Sequence, residues 1–260
     1  MAREITYIIS FSGCRIAIFE NEKQLYKITE SDAEMPDLKT AILFDCSNKE
    51  EAEAKAKAKN LEVVLFADLL AKAETLLTPE SKKEIEDGMN DIEPNDNATM
   101  IYTSGTTGNP KGVMLSHYNI MSQLKNLEHI PSKWSKKAFS FLPICHAYER
   151  MLVFLYQYLG MSVYYAESLA TIASDLKEVQ PTMMSAVPRL LEKIYSKVKQ
   201  SGRSNKGIKR VIFMWALNLA ERYKIDPCNR TWLYNQKLKI ADALVYKKIR
   251  QTLGAENFDI

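Results

Sequence analysis

Short apolar runs alternate with helix-favouring stretches along the first part of the chain. Three runs rich in β-branched and other apolar side chains predict buried strands at residues 16–19, 38–44 and 63–66. Two stretches with the Ala, Leu, Glu and Lys content of helices cover residues 50–59 and 69–77. Because strands and helices alternate here, parallel pairing of the strands is expected.

The alternation resumes further along the chain. Between the two parts, residues 78–97 contain two prolines and many acidic side chains, and they predict an exposed loop. Strands are then predicted at residues 138–142, 162–165 and 182–187, and helices at residues 118–128, 149–159 and 169–179. From residue 189 onwards, apolar positions at helical spacing predict further helices, among them residues 208–223 and 233–253. We therefore expect an α/β fold of mostly parallel sheets flanked by helices.

Residues 99–117 differ in composition from the segments on either side. Two apolar runs, residues 100–102 and 113–115, enclose three glycines, four hydroxyl side chains, one proline and one lysine. Glycines allow positive φ and close approach of the backbone to a ligand, so that N–H groups can converge on an anion. The hydroxyls and the ammonium add further donors, which suits a polyphosphate. The candidate ligands are Thr103, Ser104, Gly105, Thr106, Thr107, Gly108, Lys111 and Gly112.

The spacing within this loop excludes two common phosphate-binding motifs. A Walker loop requires Gly-Lys-Ser/Thr, whereas Lys111 lies between Pro110 and Gly112. The dinucleotide fingerprint requires Gly-x-Gly, which does not occur here. The remaining pattern, Ser-Gly-Thr-Thr-Gly-Asn-Pro-Lys-Gly between two strands, resembles the signature loop of the adenylate-forming superfamily of acyl-CoA synthetases, adenylation domains and luciferases. The alternative is a hairpin loop with an incidental lysine.

Two later segments extend this resemblance. In the superfamily a Leu-Pro-x-x-His segment lines the acyl pocket, and His146 matches its histidine. Residues 142–150, with a Glu-Arg pair, and residues 185–195, with Val-Pro-Arg and Glu-Lys-Ile-Tyr, resemble long-chain fatty acid acyl-CoA synthetases. The resemblance implies ATP, Mg²⁺ and coenzyme A, with Lys111 and His146 catalytic and Thr103 near the metal. It also implies that residues 1–260 are a fragment of the large AMP-binding N-terminal domain, divided into residues 1–95 and 96–260, and that the C-terminal domain is absent.

Charge and composition add limits on partners. Hydrophobic residues make up 46% and charged residues 26% of the chain, as in ordinary globular proteins. Residues 1–98 carry 12 Lys/Arg and 21 Asp/Glu, whereas residues 99–260 carry 23 and 11. A basic second half favours anionic ligands such as ATP or coenzyme A, although solvated surface lysines would give the same balance. No nucleic-acid-binding pattern is present in the sequence.

The cysteines and the hydropathy bear on the cellular location, and the motifs leave more than one function open. Four scattered cysteines without a CxxC pair, and no apolar run of membrane-spanning length, predict a reduced cytoplasmic chain. Peripheral contact with a membrane and the oligomeric state stay open. The predicted activity of the intact enzyme is activation of a long-chain fatty acid to acyl-adenylate and acyl-CoA. The alternatives are a noncatalytic nucleotide-binding or folding fragment, and an adenylating ligase for an aryl or amino acid.

Overall fold

A computed structural model describes residues 2–103, 108–131 and 135–258. The chain divides into two compact units, residues 1–120 and 121–260, and each is described by itself. Among the described residues, no helix is both long enough and apolar enough to span a membrane.

The first unit contains a parallel sheet and an antiparallel hairpin. Its helices are α1 (Ala2–Ser12), α2 (Glu22–Thr29), α3 (Lys49–Lys57), α4 (Phe66–Leu76) and α5 (Pro79–Asn90). Its strands are β1 (Ile16–Phe19), β2 (Thr40–Leu43), β3 (Glu62–Leu65), β4 (Asn97–Thr103) and β5 (Lys111–Ser116). Strands β1, β2 and β3 pair in that order and in parallel, as the alternation predicted, whereas β4 and β5 pair antiparallel. Leu25, Ile28 and Leu43 are fully buried in the core beside the parallel sheet.

The predicted loop at residues 78–97 is wrong over most of its length, because α5 occupies residues 79–90. Thr78 and Ser81 form a reciprocal capping box, and Pro79 takes the first helical position, where its missing N–H costs nothing. No residue of α5 is buried. The helix therefore depends on its start signals, which the acidic composition of the segment concealed.

The second unit is built on another parallel sheet. Strand β6 (Lys137–Ser140) lies between β7 (Ser162–Tyr165) and β8 (Met183–Met184), and both neighbours are parallel to it. The helices are α6 (His117–Leu127), which begins in the first unit, and α7 (Ala147–Tyr158), α8 (Ile172–Val179), α9 (Pro188–Ser204), α10 (Gly207–Glu221), α11 (Trp232–Ala241) and α12 (Lys247–Leu253). The Thr182 hydroxyl accepts from the N–H groups of Lys136 and Lys137 at 2.9 and 3.0 Å, which secures the start of the central strand.

The last helices pack closely because of two glycines. The Cα of Gly202 on α9 approaches Phe213 on α10, and a Cβ there would overlap the phenyl ring. Gly254 ends α12 with φ of 69°, directly after the predicted end of the helix at residue 253, and a Cβ there would lie 2.5 Å from the carbonyl carbon of Leu176. The single helix predicted over residues 233–253 contains a π-helical turn at Asp242–Tyr246, where the Tyr246 hydroxyl donates to the Ala216 carbonyl at 2.6 Å.

Candidate functional site

The phosphate-loop candidates lie on the β4–β5 hairpin, as the two apolar runs predicted. The last described pair places Thr103 opposite Lys111, and Tyr102 lies opposite Gly112. The segment between Thr103 and Lys111 joins the two strands, so both residues stand at the mouth of the hairpin. Four of the predicted ligands lie outside the described residues: Ser104, Gly105, Thr106 and Thr107.

The two described glycines of the loop have different surroundings. A Cβ added at Gly108 would meet no atom within 4 Å. Gly112 lies under two side chains of β4, and a Cβ there would stand 2.7 Å from the Met100 Sδ and 3.2 Å from the Tyr102 Cζ. A packing reason therefore accounts for glycine at position 112, whereas the described atoms of the protein give none at position 108.

Lys111 and Thr103 are exposed, and their polar groups are uncommitted within the described part of the chain. Lys111 forms no ion pair with a described carboxylate, and the Thr103 hydroxyl forms no hydrogen bond with a described residue. Desolvation would have made a buried unpaired ammonium costly, and exposure removes that cost. Both groups are thus available to a ligand in solution.

The same two residues permit a test of whether a divalent metal ion fits here. Within residues 2–103, 108–131 and 135–258, no group of three His, Cys, Asp or Glu side chains could hold a metal ion. Thr103 contributes a single hydroxyl oxygen. Mg²⁺ keeps several waters and commonly takes phosphate oxygens beside one or two protein oxygens, so this donor set fits Mg²⁺ delivered with a polyphosphate.

The base of the hairpin is fixed by a turn that precedes β4. The N–H of His117 donates to the Asp96 carbonyl at 3.1 Å, and the N–H of Tyr118 donates to the Pro94 carbonyl at 2.7 Å. Ser116 and Asn119 exchange hydrogen bonds between side chain and backbone at the start of α6, at 3.0 and 3.2 Å. His117 begins α6, and its backbone holds the base of the hairpin in place.

One tyrosine of the hairpin is buried at its hydroxyl. The Tyr102 hydroxyl has no hydrogen-bond partner among the described residues, and burial raises the pKa of this phenol. Tyr7, the next largest influence, raises it further. Tyr102 therefore stays neutral at physiological pH and serves the packing of β4, while the neighbouring Thr103 faces solvent.

His146 occupies the loop between β6 and α7, which is where the Leu-Pro-x-x-His pattern predicted it. It is the residue that precedes the first turn of α7, with φ of −86° and ψ of 135°, and its side chain makes no capping hydrogen bond. Its N–H donates to the Pro143 carbonyl at 3.0 Å, and the Arg150 Nε donates to the Ile144 carbonyl at 3.0 Å. The turn is fixed from both sides, and the imidazole is exposed. The neighbouring Cys145 is exposed as well.

Glu149 is the polar residue that sequence reasoning missed. It is fully buried, and the Ser140 hydroxyl donates to its Oε1 at 2.5 Å while the Ser185 hydroxyl donates to its Oε2 at 2.7 Å. One side chain thus joins α7 to β6 and to the segment after β8. Burial raises the pKa of the nearby Tyr156 hydroxyl, and the charge of Glu149 raises it further. The available signal was helical spacing, because Glu149, Val153 and Tyr156 lie on the buried face of α7.

The structure brings together only some of the predicted site residues. Thr103, Lys111 and Gly112 belong to the hairpin of the first unit, and Gly108 lies in the segment that joins its strands. His146 belongs to the second unit, where its neighbours in the chain connect it to Glu149 and Arg150. The first group offers hydroxyl and ammonium donors to an anion, and the second offers one exposed imidazole.

Comparisons with known proteins bear on these residues. The family model of the AMP-binding enzymes matches residues 1–225. The long-chain-fatty-acid–CoA ligase ACSBG2 of Xenopus laevis is 31% identical over 266 residues, which cover 96% of this chain and 33% of that protein. The human protein of the same name is 30% identical over 260 residues, covering 96% of this chain and 37% of its own length. The chain thus spans about a third of the length of these curated relatives.

Among solved structures, the adenylation domain of a carboxylate reductase from Mycobacterium chelonae is similar in fold. It superposes with a TM-score of 0.58 at 17% identity, covering 99% of this chain and 36% of that chain. A red-emitting luciferase from Phrixothrix hirtus gives a TM-score of 0.54 at 17% identity, covering 75% of this chain and 44% of that one. These similarities concern the fold, which is that of the N-terminal domains of adenylate-forming enzymes, and they agree with the expected parallel sheets flanked by helices.

Proposed function

The chain belongs to the AMP-binding enzyme family, and from that premise we propose that it is part of an ATP-dependent ligase that joins a long-chain fatty acid to coenzyme A. The observation that carries the proposal is the mouth of the β4–β5 hairpin, where exposed Thr103 and Lys111 stand opposite each other with uncommitted polar groups. In this proposal the hairpin binds the phosphates of ATP. The other proposed phosphate ligands belong to the same motif: Ser104, Gly105, Thr106, Thr107, Gly108 and Gly112.

The proposed reaction has two steps. An oxygen of the fatty carboxylate attacks the α-phosphorus of ATP, and the bond to pyrophosphate breaks, which gives acyl-adenylate. The sulfur of coenzyme A then attacks the acyl carbon, loses its proton, and AMP leaves. Because the first step brings one anion towards another, its transition state needs positive charge and N–H dipoles near the phosphoryl oxygens. Lys111 supplies one such charge to the phosphates.

Two further roles belong to this proposal. Thr103 would hold Mg²⁺ together with the phosphates, and the ion would supply additional positive charge at the reacting phosphate. His146 would lie on the acyl side as a neighbour of the carbonyl, which suits an exposed imidazole on a fixed turn. The partners are then coenzyme A and the fatty acid. The proposed location is the cytoplasm, which allows peripheral contact with a membrane.

The choice of a long-chain acid rests on the relatives and on two segments of the chain. Both curated relatives reported above are named long-chain-fatty-acid–CoA ligases, and each aligns with nearly the whole chain. The turn that precedes α7 and the start of α9 carry the two segments, residues 142–150 and 185–195, that resemble long-chain fatty acid acyl-CoA synthetases. An aryl or amino acid is the competing substrate class.

The test is an exchange assay on the complete polypeptide that the gene encodes. Labelled pyrophosphate should enter ATP in the presence of palmitate, and the rate with palmitate should exceed the rates with benzoate and with a set of amino acids at least tenfold. If benzoate or an amino acid gave the fastest exchange, the substrate would belong to another class of acid. No exchange with any acid, in a protein that still binds ATP, would support the second candidate function, a noncatalytic nucleotide-binding fragment.

A further inference from the structure

One short segment of the second unit carries several large apolar side chains in solvent. Residues 222–234, the α10–α11 corner, join the end of α10 to the first turn of α11. Ile225 is 85% exposed and Trp232 is 74% exposed, and Tyr223 and Leu233 are exposed as well. Clustered exposed apolar side chains mark places where a protein meets another molecule or a membrane. The corner is therefore a candidate interaction surface.

Hydrogen bonds close the corner on itself. The Tyr234 hydroxyl donates to the Arg222 carbonyl at 3.2 Å and accepts from the N–H of Lys224 at 3.3 Å. The Arg230 guanidinium donates to the carbonyls of Lys224 and Ile225 at 2.6 and 3.0 Å. The backbone of the corner is thus fixed by its own polar groups, while its large apolar side chains stay in solvent.

The corner and the helix that follows it are positively charged. Residues 222–240 contain one acidic residue, Asp226, whose carboxylate accepts from the N–H of Cys228 and from the side-chain amide of Asn229, both at 2.9 Å. The same residues contain five basic side chains: Arg222, Lys224, Arg230, Lys237 and Lys239. None of the five forms an ion pair with a carboxylate in the described part of the chain. Five positive charges against one negative charge make this surface complementary to an anionic partner.

The small extent of the apolar surface favours a lipid bilayer over a protein as this partner. A stable protein interface takes about 20–30 residues from each side, which is more than one corner offers. At a bilayer, each apolar side chain that enters the boundary between head groups and acyl chains contributes by itself, and Trp and Tyr favour that boundary. Each nearby Lys or Arg strengthens binding to anionic lipids about fivefold, the equivalent of about 1 kcal/mol.

We propose that the α10–α11 corner binds the surface of a membrane that contains anionic lipids. Ile225 and Trp232 enter the head-group boundary, and the basic side chains lie against the negative head groups. The corner includes none of the phosphate-loop residues and no residue of the turn around His146. Membrane binding here needs neither ATP nor a carboxylic acid, so it is tested independently of the proposed ligase reaction.

The first experiment measures which lipid the protein requires. The 260-residue chain and the complete polypeptide that the gene encodes are each mixed with phosphatidylcholine vesicles, with or without about 30% phosphatidylserine, and bound protein is measured by sedimentation. We expect at least tenfold tighter binding to the vesicles with phosphatidylserine, and loss of that advantage at about 1 M salt, where charges are screened beyond about 3 Å. Equal binding to both vesicles, or no binding by the complete polypeptide, would overturn the proposal.

The second experiment tests whether the corner enters the bilayer. The tryptophan emission of the parent should shift to shorter wavelength on vesicles with phosphatidylserine, and brominated lipids should quench it. Trp232→Phe keeps an aromatic ring at the corner, so this variant should still sediment with the vesicles but should lose the shift. A shift of equal size in Trp232→Phe, or no shift in the parent, would contradict insertion of the corner.

Matched apolar variants test the inserted side chains. Ile225→Ser with Trp232→Ser should weaken binding to the phosphatidylserine vesicles at least tenfold. Ile208→Ser with Val211→Ser removes two exposed apolar side chains at the other end of α10 and should change affinity less than twofold. Since all four positions are exposed, the melting temperatures should stay near that of the parent. Equal losses of affinity in the two double variants would refute the role of the corner.

Matched charge variants test the basic side chains. Arg222→Glu with Lys237→Glu should weaken vesicle binding at least tenfold. Lys72→Glu with Lys82→Glu changes the net charge equally at exposed positions of the first unit, and should weaken binding less than threefold. Equal losses would mean that only the net charge of the protein matters, and the proposal would fail. Binding of an acidic amphipathic peptide by a parent that binds no vesicle would assign the corner to a protein partner and contradict the proposal.

Discussion

Polar side chains have opposite surroundings in the β4–β5 hairpin and in the Glu149 cluster, which consists of Glu149, Ser140 and Ser185. In the hairpin, Thr103 and Lys111 are exposed, and neither side chain forms a hydrogen bond or ion pair with the described residues. In the cluster, Glu149 is fully buried and both of its oxygens accept hydrogen bonds from serines. The polar group that supports the fold is satisfied internally, whereas the groups proposed to serve a ligand are left available. Loss of the first kind should therefore destabilise the protein, and loss of the second should spare its stability.

Removal of Glu149 is the largest expected effect. Glu149→Ala leaves the hydroxyls of Ser140 and Ser185 buried without their acceptor, and hydrogen bonds to a carboxylate contribute roughly 1.5–3 kcal/mol each. The free energy of unfolding of the second unit should fall by about 3–4 kcal/mol. Urea titration followed by tryptophan fluorescence measures it, because all three tryptophans lie in residues 121–260.

The matched control for this prediction is Glu192→Ala, at an exposed position on α9, which should change the free energy of unfolding by less than about 0.5 kcal/mol. Glu149→Gln keeps the shape and the acceptor oxygen and should fall between the two, which keeps the prediction testable if the alanine variant does not fold. A loss of less than about 1 kcal/mol in Glu149→Ala would contradict a structural role for this carboxyl group.

The two described loop glycines give the next largest contrast. Gly112→Ala places a Cβ 2.7 Å from the Met100 Sδ, so the thioether must move and stability should fall by about 1–2 kcal/mol. The Cβ added by Gly108→Ala meets no atom within 4 Å, so the free energy of unfolding should stay within about 0.5 kcal/mol of the parent. If the loop binds phosphate closely, Gly108→Ala should still weaken ATP binding severalfold. Equal losses of stability in the two variants, in thermal unfolding followed by circular dichroism, would refute this distinction.

The fold was predictable where alternating apolar runs are short and bounded. Residues 162–165 were predicted as a strand with the same limits as β7, and the left-handed end of α12 at Gly254 follows from glycine's freedom at positive φ. Helix α5 was missed, because a capping box of only two residues outweighs an acidic composition that favours a loop. The break of the last predicted helix into a π-helical turn depends on contacts with α10, which no local pattern records.

Only part of the candidate site was predictable from the sequence. The hairpin could be found because its hydroxyls, glycines and lysine form one continuous motif between two strands. Glu149 was not found, since its partners Ser140 and Ser185 are separated from it by 9 and 36 residues and meet only in the folded unit. Motifs that serve a ligand are local in sequence here, whereas the polar groups that support the fold are assembled from distant segments.

Tyr156 offers a smaller, pH-dependent test of the buried cluster. Burial, and then the charge of Glu149, raise the pKa of this phenol above its ordinary value near 10. The folded protein then keeps a proton that the unfolded chain releases, so the stability contributed by the neutral phenol is present below pH 10 and is lost as the pH rises above it. Tyr156→Phe should flatten this alkaline loss.

At neutral pH the same variant should change stability by less than about 1 kcal/mol, because the Tyr156 hydroxyl has no hydrogen-bond partner to lose in the described part of the chain. Urea titrations at pH 7 and between pH 9.5 and 11 compare the parent with Tyr156→Phe. A parent and a variant that lose stability in parallel over the alkaline range would show that Tyr156 does not titrate differently on folding.

The most direct test of the central claim, that the hairpin mouth binds the phosphates of ATP, is the ATP affinity of Lys111→Ala measured by calorimetry on the complete polypeptide. We expect at least a tenfold weaker affinity, since a charge-assisted contact to phosphate contributes roughly 1.5–3 kcal/mol, together with a free energy of unfolding within about 0.5 kcal/mol of the parent. Lys125→Ala, which removes an exposed charge on α6, should leave both unchanged. ATP affinity equal in Lys111→Ala and the parent would contradict the account.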